Sequence, residues 1–589
     1  MQESETVVCA AMHPALRSIA LVLLLSCAHS APPAATAKDR SAESPELAQL
    51  VDEFFAARFA FAPSRGTGIG FHEFDAQLED LSKARISAHI AELKRFQQRL
   101  AAIDRSRLSF DDAIDAQLID NAIDAALLEL TVVRGWERNP MQYAGLPGNA
   151  IDSLMKRDFA PGPERLRSAI ARLSKVPGVY AAARENLVNP AKELTDVSMR
   201  MARGSVGFLQ GAVVQWAKES AGGDAALLAQ FEQAHAAALA SAREFADWLQ
   251  KDLAPRSRGS YAIGADTFLA KLKAEEMVTM PLPDLLARGQ AQLAKDHAAF
   301  LETARQIDPT RSAAEVMKSL SGEHPTAEDL IPSVARSVEA ARQFIVDKEI
   351  VTVPSEVRVK VAPTPPYARS GSFASMDTPG PYERKATEAF YYVTPVEPEW
   401  DAKHKEEHLR LYNPWVVGMI NVHEAYPGHY LQFLYAPRFP TKTRKLARSA
   451  SNSEGWAHYA EQMAVDHGFG NGNPKVRLAQ LQEALLRDCR YVVGIQLHTA
   501  GWTVEQGAAL FVEQGFQEPA NAYEEARRGA YNPTYLYYTL GKLEIQDLAS
   551  EYMAKKHATL RQFHDAFVTQ GPLPIPLIRQ ILLRDAQSR

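Results

Sequence analysis

Two histidines and two glutamates of this chain have the types and the proximity to hold a metal ion and to work beside it. His423 and Glu424 open the run His423-Glu424-Ala425-Tyr426-Pro427-Gly428-His429, and Glu454 opens Glu454-Gly455-Trp456-Ala457-His458. Imidazole nitrogens and a carboxylate oxygen are the donors of a catalytic zinc, and a glutamate next to such a ligand is the usual general base of a zinc hydrolase. The spacing, however, is not that of a regular zinc helix, whose histidines stand at i and i+4. Here the second histidine is at i+6, about 120° round an unbroken helix and roughly 9 Å along its axis from the first. Donors of one zinc lie about 2.0–2.1 Å from the ion, so a regular helix cannot make this site.

Pro427 removes a backbone donor and clashes with the preceding turn, and Gly428 tolerates the backbone a break requires. Two residues bulging out would return His429 to the face of His423. The plain alternative is that both are ordinary helix-end histidines and Pro-Gly merely stops the helix. The second segment tips the balance, because it supplies a helical carboxylate at the distance that glutamate-type zinc peptidases use.

These residues carry a resemblance. The chain is identified as a member of the bacterial family called domain of unknown function 885, which is similar to the mainly helical gluzincin metallopeptidases. The match rests on His423, Glu424, Pro427, Gly428, His429 and Gln432, then on Glu454, Gly455, Trp456, Ala457, Tyr459 and Glu461. It continues through Arg490, Val492, Val493, His498, Gly501 and Trp502, through Pro533, Tyr538, Gly541 and Ile545, and through Phe563, His564, Asp565, Gly571, Leu573 and Pro574. The sequence departs from the family at Gly494, where many members carry Asp, and at Thr534-Tyr535, where they carry Gly-Gln. The substrate therefore does not carry over.

The constellation implies one Zn2+ held by His423, His429 and Glu454, with a position left for a water whose pKa the ion lowers. Glu424 would take the proton of the attacking water and pass it to the leaving amine. The resemblance implies a tyrosine or histidine as oxyanion stabiliser, with Tyr538 the first candidate and His498 the second. His458, four residues after Glu454 on the same helix face, is placed beside the metal rather than on it. Glu461 is read as an acceptor that orients a ligating imidazole, or else as a solvated helix charge. Arg490 and Arg528 are candidates for a bidentate grip on a substrate carboxylate.

Location is read from the other end. Met12-His13-Pro14-Ala15-Leu16-Arg17 leads into Ile19-Ala20-Leu21-Val22-Leu23-Leu24-Leu25, a basic lead and an apolar core too short to span a bilayer. Residues 1–31 thus read as a secretory signal starting at Met12. Leu24-Leu25-Ser26-Cys27 resembles a lipoprotein box with Cys27 as the lipidated residue, and the alternative is cleavage after Ser30 or Ala31. Residues 32–44 read as a tether. The chain would be exported, either periplasmic or anchored in the envelope, with a membrane contact only through the lipid. Only Cys489 of the 3 cysteines lies in the body of the chain, so no internal disulfide is available. A net charge of −6 without a basic, aromatic-interleaved patch argues against nucleic acid as a partner.

The elements that must position the site read as mainly α. Residues 45–346 form a succession of amphipathic helical patterns, such as Ile86 to Ile103 and Ala225 to Leu253. Breaks are expected at Gly145-Leu146-Pro147-Gly148, Pro161-Gly162-Pro163, Pro177-Gly178 and Pro281-Leu282-Pro283. Residues 347–589 form the zinc-bearing lobe. Within it a small sheet near 351–394 combines strands at Val351 to Val361 and Ala389 to Val393, separated by a loop from Ala362 to Pro381. One of these strands would pair with extended substrate, or else be a structural hairpin. The stretch Ser370-Gly371-Ser372-Phe373-Ala374-Ser375 is either a lid or a solvated connection. Helices return at Leu478 to Leu497, Val504 to Gln514 and Tyr535 to Tyr552. Two helical lobes flanking a deep cleft would admit short peptides and exclude folded proteins. Three functions compete on this reading: a zinc peptidase for short peptides, a zinc hydrolase of a non-peptide amide or ester, and an exported binding protein with a vestigial site.

Overall fold

The computed structural model describes residues 44–365, 369 and 373–584. The signal and tether, Cys27 with them, and residues 370–372 of the candidate lid lie outside these. From Ser44 onward the chain forms one compact unit of helices with a single small sheet among the described residues. The expected helices form where apolar residues recur at helical spacing. Lys83–Ala102 buries Ile86, Leu93, Phe96 and Leu100 along one face, and the Ser82 hydroxyl caps it by accepting from the Arg85 amide. Ala225–Trp248 is capped by Asp224 and runs on through a π turn at Leu249–Leu253. Three of the four expected breaks coincide with helix starts, at Gly162–Leu173, Val176–Asn186 and Leu282–Ile307. The fourth does not: Pro147 lies inside the helix Met141–Met155. Its two glycines face the helix Lys192–Gln210, where a Cβ on Gly145 would sit 2.9 Å from Met201 Cε and one on Gly148 would sit 3.4 Å from Ser205 Oγ. Close helix packing has outweighed the local breaker.

The sheet differs from expectation. Its strands are β1 (Lys360–Pro363), β2 (Ala374–Asp377) and β3 (Phe390–Val393), in the order β1-β3-β2, with β1 parallel and β2 antiparallel to β3. Of the run Val351 to Val361 only the last two residues enter a strand, while β2 falls in the segment read as a loop. The reason lies in the partners. The Thr352 amide and hydroxyl both donate to the Asp565 carboxylate at 2.7 Å, and Tyr435 Oη donates to the Thr352 carbonyl at 2.6 Å. Helix side chains thus satisfy this extended segment instead of a neighbouring strand. Among the described residues no helix is long and apolar enough to cross a membrane, and Cys489 is buried and free.

Candidate metal centre

The helix Pro414–Glu424 starts on an Asn413 cap with Pro414 at its first position, and buries Met419 and Val422 in the largest apolar cluster of the fold, with His423 buried as well. It ends one residue after His423, and a second helix, His429–Tyr435, begins on the other histidine. Between them the backbone closes two wide turns: Gly428 N–H donates to the Val422 carbonyl at 3.0 Å and Leu431 N–H to the Ala425 carbonyl at 3.2 Å. Both bonds reach back six residues where a helix reaches back four, so two residues are looped out and the second histidine faces the first. The glycine is needed for space rather than for a left-handed backbone. Its φ is −73°, yet a Cβ at 428 would lie 1.7 Å from the His423 carbonyl oxygen. Trp456, fully buried, fastens the loop by donating from Nε1 to the Pro427 carbonyl at 2.7 Å.

Glu454 comes from the helix Ala450–Asp466, whose Ser449 cap accepts from the Asn452 amide. Asn452 then joins the blocks of sequence: its Oδ1 accepts from Gln432 at 3.1 Å, and its Nδ2 donates to the Leu573 carbonyl at 2.8 Å. The same helix crosses Tyr537–Lys556 at a pair of glycines, where a Cβ on Gly455 would fall 2.5 Å from Gly541 Cα. That crossing sets Tyr538 beside the cluster of His423, His429 and Glu454.

The donor atoms meet. His423 Nε2 is 3.6 Å and His429 Nε2 3.5 Å from Glu454 Oε2, the imidazole planes stand at 90°, and all three donors lie within 4.8 Å of one another. Ligands 2.0–2.1 Å from a tetrahedral zinc are separated by about 3.3–3.5 Å, so the three side chains fit one such ion. Burial raises the pKa of Glu454, but His423 and His429 outweigh it and hold the carboxylate well below its ordinary range. Burial likewise depresses His423, and Glu454 with Glu461 outweighs that to bring its imidazole up to about 9. Glu461 Oε1 accepts from His423 Nδ1 at 2.6 Å. It is almost wholly buried and is gripped by Arg487 Nη2 at 3.2 Å. Arg487 was absent from the sequence reading, and its one signal is that it lies a helical turn before Arg490 on the same face.

The remaining candidates separate. Glu424 is half-buried, its carboxylate makes no hydrogen bond or ion pair with any described residue, and it lines one cavity of about 1150 Å³ together with the three donors and Tyr538. The Tyr538 ring lies 6.4 Å from that of His423, and its hydroxyl accepts from Arg528 Nη2 at 3.3 Å. Arg528 therefore supports the tyrosine. Arg490 is corrected in part: it lines the same cavity with its guanidinium 5.1 Å from the centre of the Tyr538 ring, but Nε and Nη2 bind Glu525 at 2.7 and 2.9 Å, so that edge of its fork is filled. His498 is corrected as well. It is buried at the far end of Pro474–Thr499, where Nε2 meets the Gly529 carbonyl at 2.8 Å. Eleven residues separate it from Arg487, roughly 16 Å of helix. His458 is fully buried one step further out than expected, 3.5 Å from Glu461 Oε2. Burial and the nearby Lys542 depress it to about 3, so it is neutral. The strand bordering the cavity is β2, through Ala374, Ser375 and Met376. The two departures from the family meet each other: a Cβ at Gly494 would lie 2.9 Å from the ring of Tyr535, which is fully buried. One bulky side chain occupies the room left by a missing one.

Comparison with known proteins adds the following. The family described as bacterial protein of unknown function, DUF885, matches residues 63–582. No curated protein is significantly similar to the chain. Among solved structures, a predicted lipoprotein of unknown function from Shewanella oneidensis is 27% identical with a TM-score of 0.78, the match covering 91% of this chain and 100% of that one. Another predicted lipoprotein, from Colwellia psychrerythraea, is 18% identical with a TM-score of 0.77 over 91% and 98% of the two chains, and shows the shared fold.

Proposed function

The chain belongs to the DUF885 family of bacterial proteins of unknown function, and from that premise we propose that it is an exported, zinc-dependent peptidase of gluzincin type acting on short peptides. The observation that carries this reading is the unpartnered Glu424 in the same cavity as three donors spaced for one tetrahedral ion. Two neutral imidazoles and a carboxylate, with room for a fourth ligand, are the donor set of a hydrolytic zinc. Zinc, when bound, acidifies water and polarises a carbonyl.

The chain's own groups supply the rest. Glu424 accepts the proton of the attacking water and returns it to the departing amine. The Tyr538 hydroxyl donates to the oxygen on which negative charge develops, and Arg528 holds that hydroxyl. Glu461, itself held by Arg487, fixes the tautomer and plane of His423. β2 is at an edge of its sheet and borders the cavity, the position from which a strand holds an extended peptide. Export as a lipoprotein is part of the same proposal. Its support is the run Leu24-Leu25-Ser26-Cys27 and the description of the Shewanella protein as a predicted lipoprotein.

Glu424→Gln tests the reading: the variant keeps one zinc per chain by elemental analysis and loses turnover by at least about a hundredfold. A peptide library read by mass spectrometry provides the substrates. A wild-type protein that binds zinc yet cleaves other amides or esters and no peptide transfers the assignment to a non-peptide hydrolase. One that cleaves nothing refutes both.

A further inference from the structure

Beside the metal cavity three arginines have no anionic partner among the described residues. Arg58, Arg65 and Arg448 line a cavity of about 530 Å³. Arg58 is half-buried and Arg65 and Arg448 are exposed, and among the described residues none of the three has an ion pair or a side-chain hydrogen bond, whereas Arg487 and Arg490 of the metal cavity are buried and paired. They also repel one another. Burial, then Arg65 and Arg448, depress Arg58 to about 10. The carboxylates that line the same cavity are engaged elsewhere. Glu129 and Glu275 face Lys271 at 3.8 Å and closer, and Glu276 accepts from the Ser449 hydroxyl at 2.5 Å and the Ala450 amide at 2.8 Å. His89 on the same wall faces Glu92 at 3.0 Å.

This cavity shares lining residues with a space that reaches the metal site. Arg448 also lines a neighbouring space of about 600 Å³, whose other wall carries Glu424 and His429. Lys445, with no ion pair among the described residues, lines that space too. Arg448 precedes the helix Ala450–Asp466 by two residues, and Glu454 stands about 6 Å along the axis from its first residue. A peptide spans about 3.3–3.6 Å per residue, so a chain with its scissile carbonyl at the donors that runs towards the start of this helix reaches Arg448 within a few residues.

We propose that Arg58, Arg65 and Arg448 form an anion site that seats a carboxylate of the substrate, making the enzyme selective for short peptides that end in a free carboxylate or carry acidic side chains on that side of the cut. The proposal names the substrate class of the peptidase reading and rests on it, while the anion site can be tested without turnover. Guanidinium forks are the groups that recognise carboxylates in two-point fashion, and a charge-assisted hydrogen bond of this kind is worth about tenfold or more in affinity.

Zinc-loaded Glu424→Gln protein is titrated with a tetrapeptide as free acid, as C-terminal amide, and as amide with one glutamate, and separately with glutarate alone. The free acid is expected to bind at least about tenfold tighter than the plain amide, with the advantage lost in Arg448→Gln and in Arg58→Gln and with binding weakened by salt. Recovery of affinity by the glutamate-bearing amide assigns the site to side chains, and its absence assigns it to the peptide terminus. The acid–amide comparison needs no arginine variant, so a misfolded variant leaves it intact. Equal binding of acid and amide, with glutarate unaffected by either arginine substitution, overturns the proposal. If glutarate binds through these arginines and no peptide binds or is cut, the anion site stands and the peptidase reading fails.

Discussion

Gly428→Ala puts the geometry of the metal centre to its sharpest test, because it adds one methyl group to the turn between the two histidines and removes no ligand. That methyl would stand 1.7 Å from the His423 carbonyl oxygen, 2.4 Å from its carbon and 2.6 Å from the Val422 oxygen. All three are backbone atoms, so no side-chain rotation makes room. Restoring even a tight contact of 3.0 Å moves the His423 peptide or residue 428 by about 1.3 Å, several times the tolerance of about 0.2 Å on a metal–ligand distance. Overpacking of this kind costs about 1–3 kcal/mol. Taken from metal affinity, that is about 5- to 150-fold. Gly418→Ala is the matched control on the same helix, since its added methyl meets only Phe469 Cε1, at 3.8 Å. It should hold zinc as the unsubstituted protein does and be slightly more stable, through the lost backbone freedom of the unfolded chain. The assay is competition for zinc against a chromogenic chelator, with circular dichroism to establish that both variants are folded. A folded Gly428→Ala protein that binds zinc as tightly as Gly418→Ala refutes the claim that this turn brings the two imidazoles onto one ion.

Two further outcomes follow from the surroundings of His423. Glu461→Gln removes the charge that His423 and Arg487 share, so zinc affinity in the same competition should fall about 10- to 100-fold, and an unchanged affinity would make Glu461 a structural charge only. The metal-free imidazole of His423 is raised from 6.5 to about 9, so it is protonated near neutrality and must release that proton to bind an ion. Zinc affinity should therefore rise with pH, by about tenfold per unit between pH 7 and 8.5, with a released proton detectable by calorimetry in buffers of differing ionisation heat; a flat profile would contradict the charge pattern.

Local chemistry was the legible part of the sequence. The Pro-Gly interruption announced a break of two extra residues, and the six-residue backbone bonds at Gly428 and Leu431 are that break. Helices were legible because their apolar spacing is written within a few turns, as in Lys83–Ala102. Strands were not, since pairing is decided by distant partners. Thr352 looks like strand but belongs to Asp565, and Ala374–Asp377 looks like loop but pairs with β3. Arginines were the least legible. Arg490 reads as a substrate clamp until Glu525 is found in its fork, and Arg58, Arg65 and Arg448 come from segments nearly four hundred residues apart in sequence whose meeting no spacing announces. His498 failed for a simpler reason: its helix carries it beyond the cavity.

The crossing of Gly455 and Gly541 has a consequence for how this molecule can move. With a virtual Cβ on Gly541 only 1.9 Å from the Ser451 carbonyl, main chain rests on main chain, and no rotamer lies between the helix that bears Glu454 and the one that bears Tyr538. The two behave as the jaws of a locked caliper. Thermal breathing that admits or releases a ligand is then expected from other walls, such as the β2 side, with the gap between the Glu454 carboxylate and the Tyr538 phenol held.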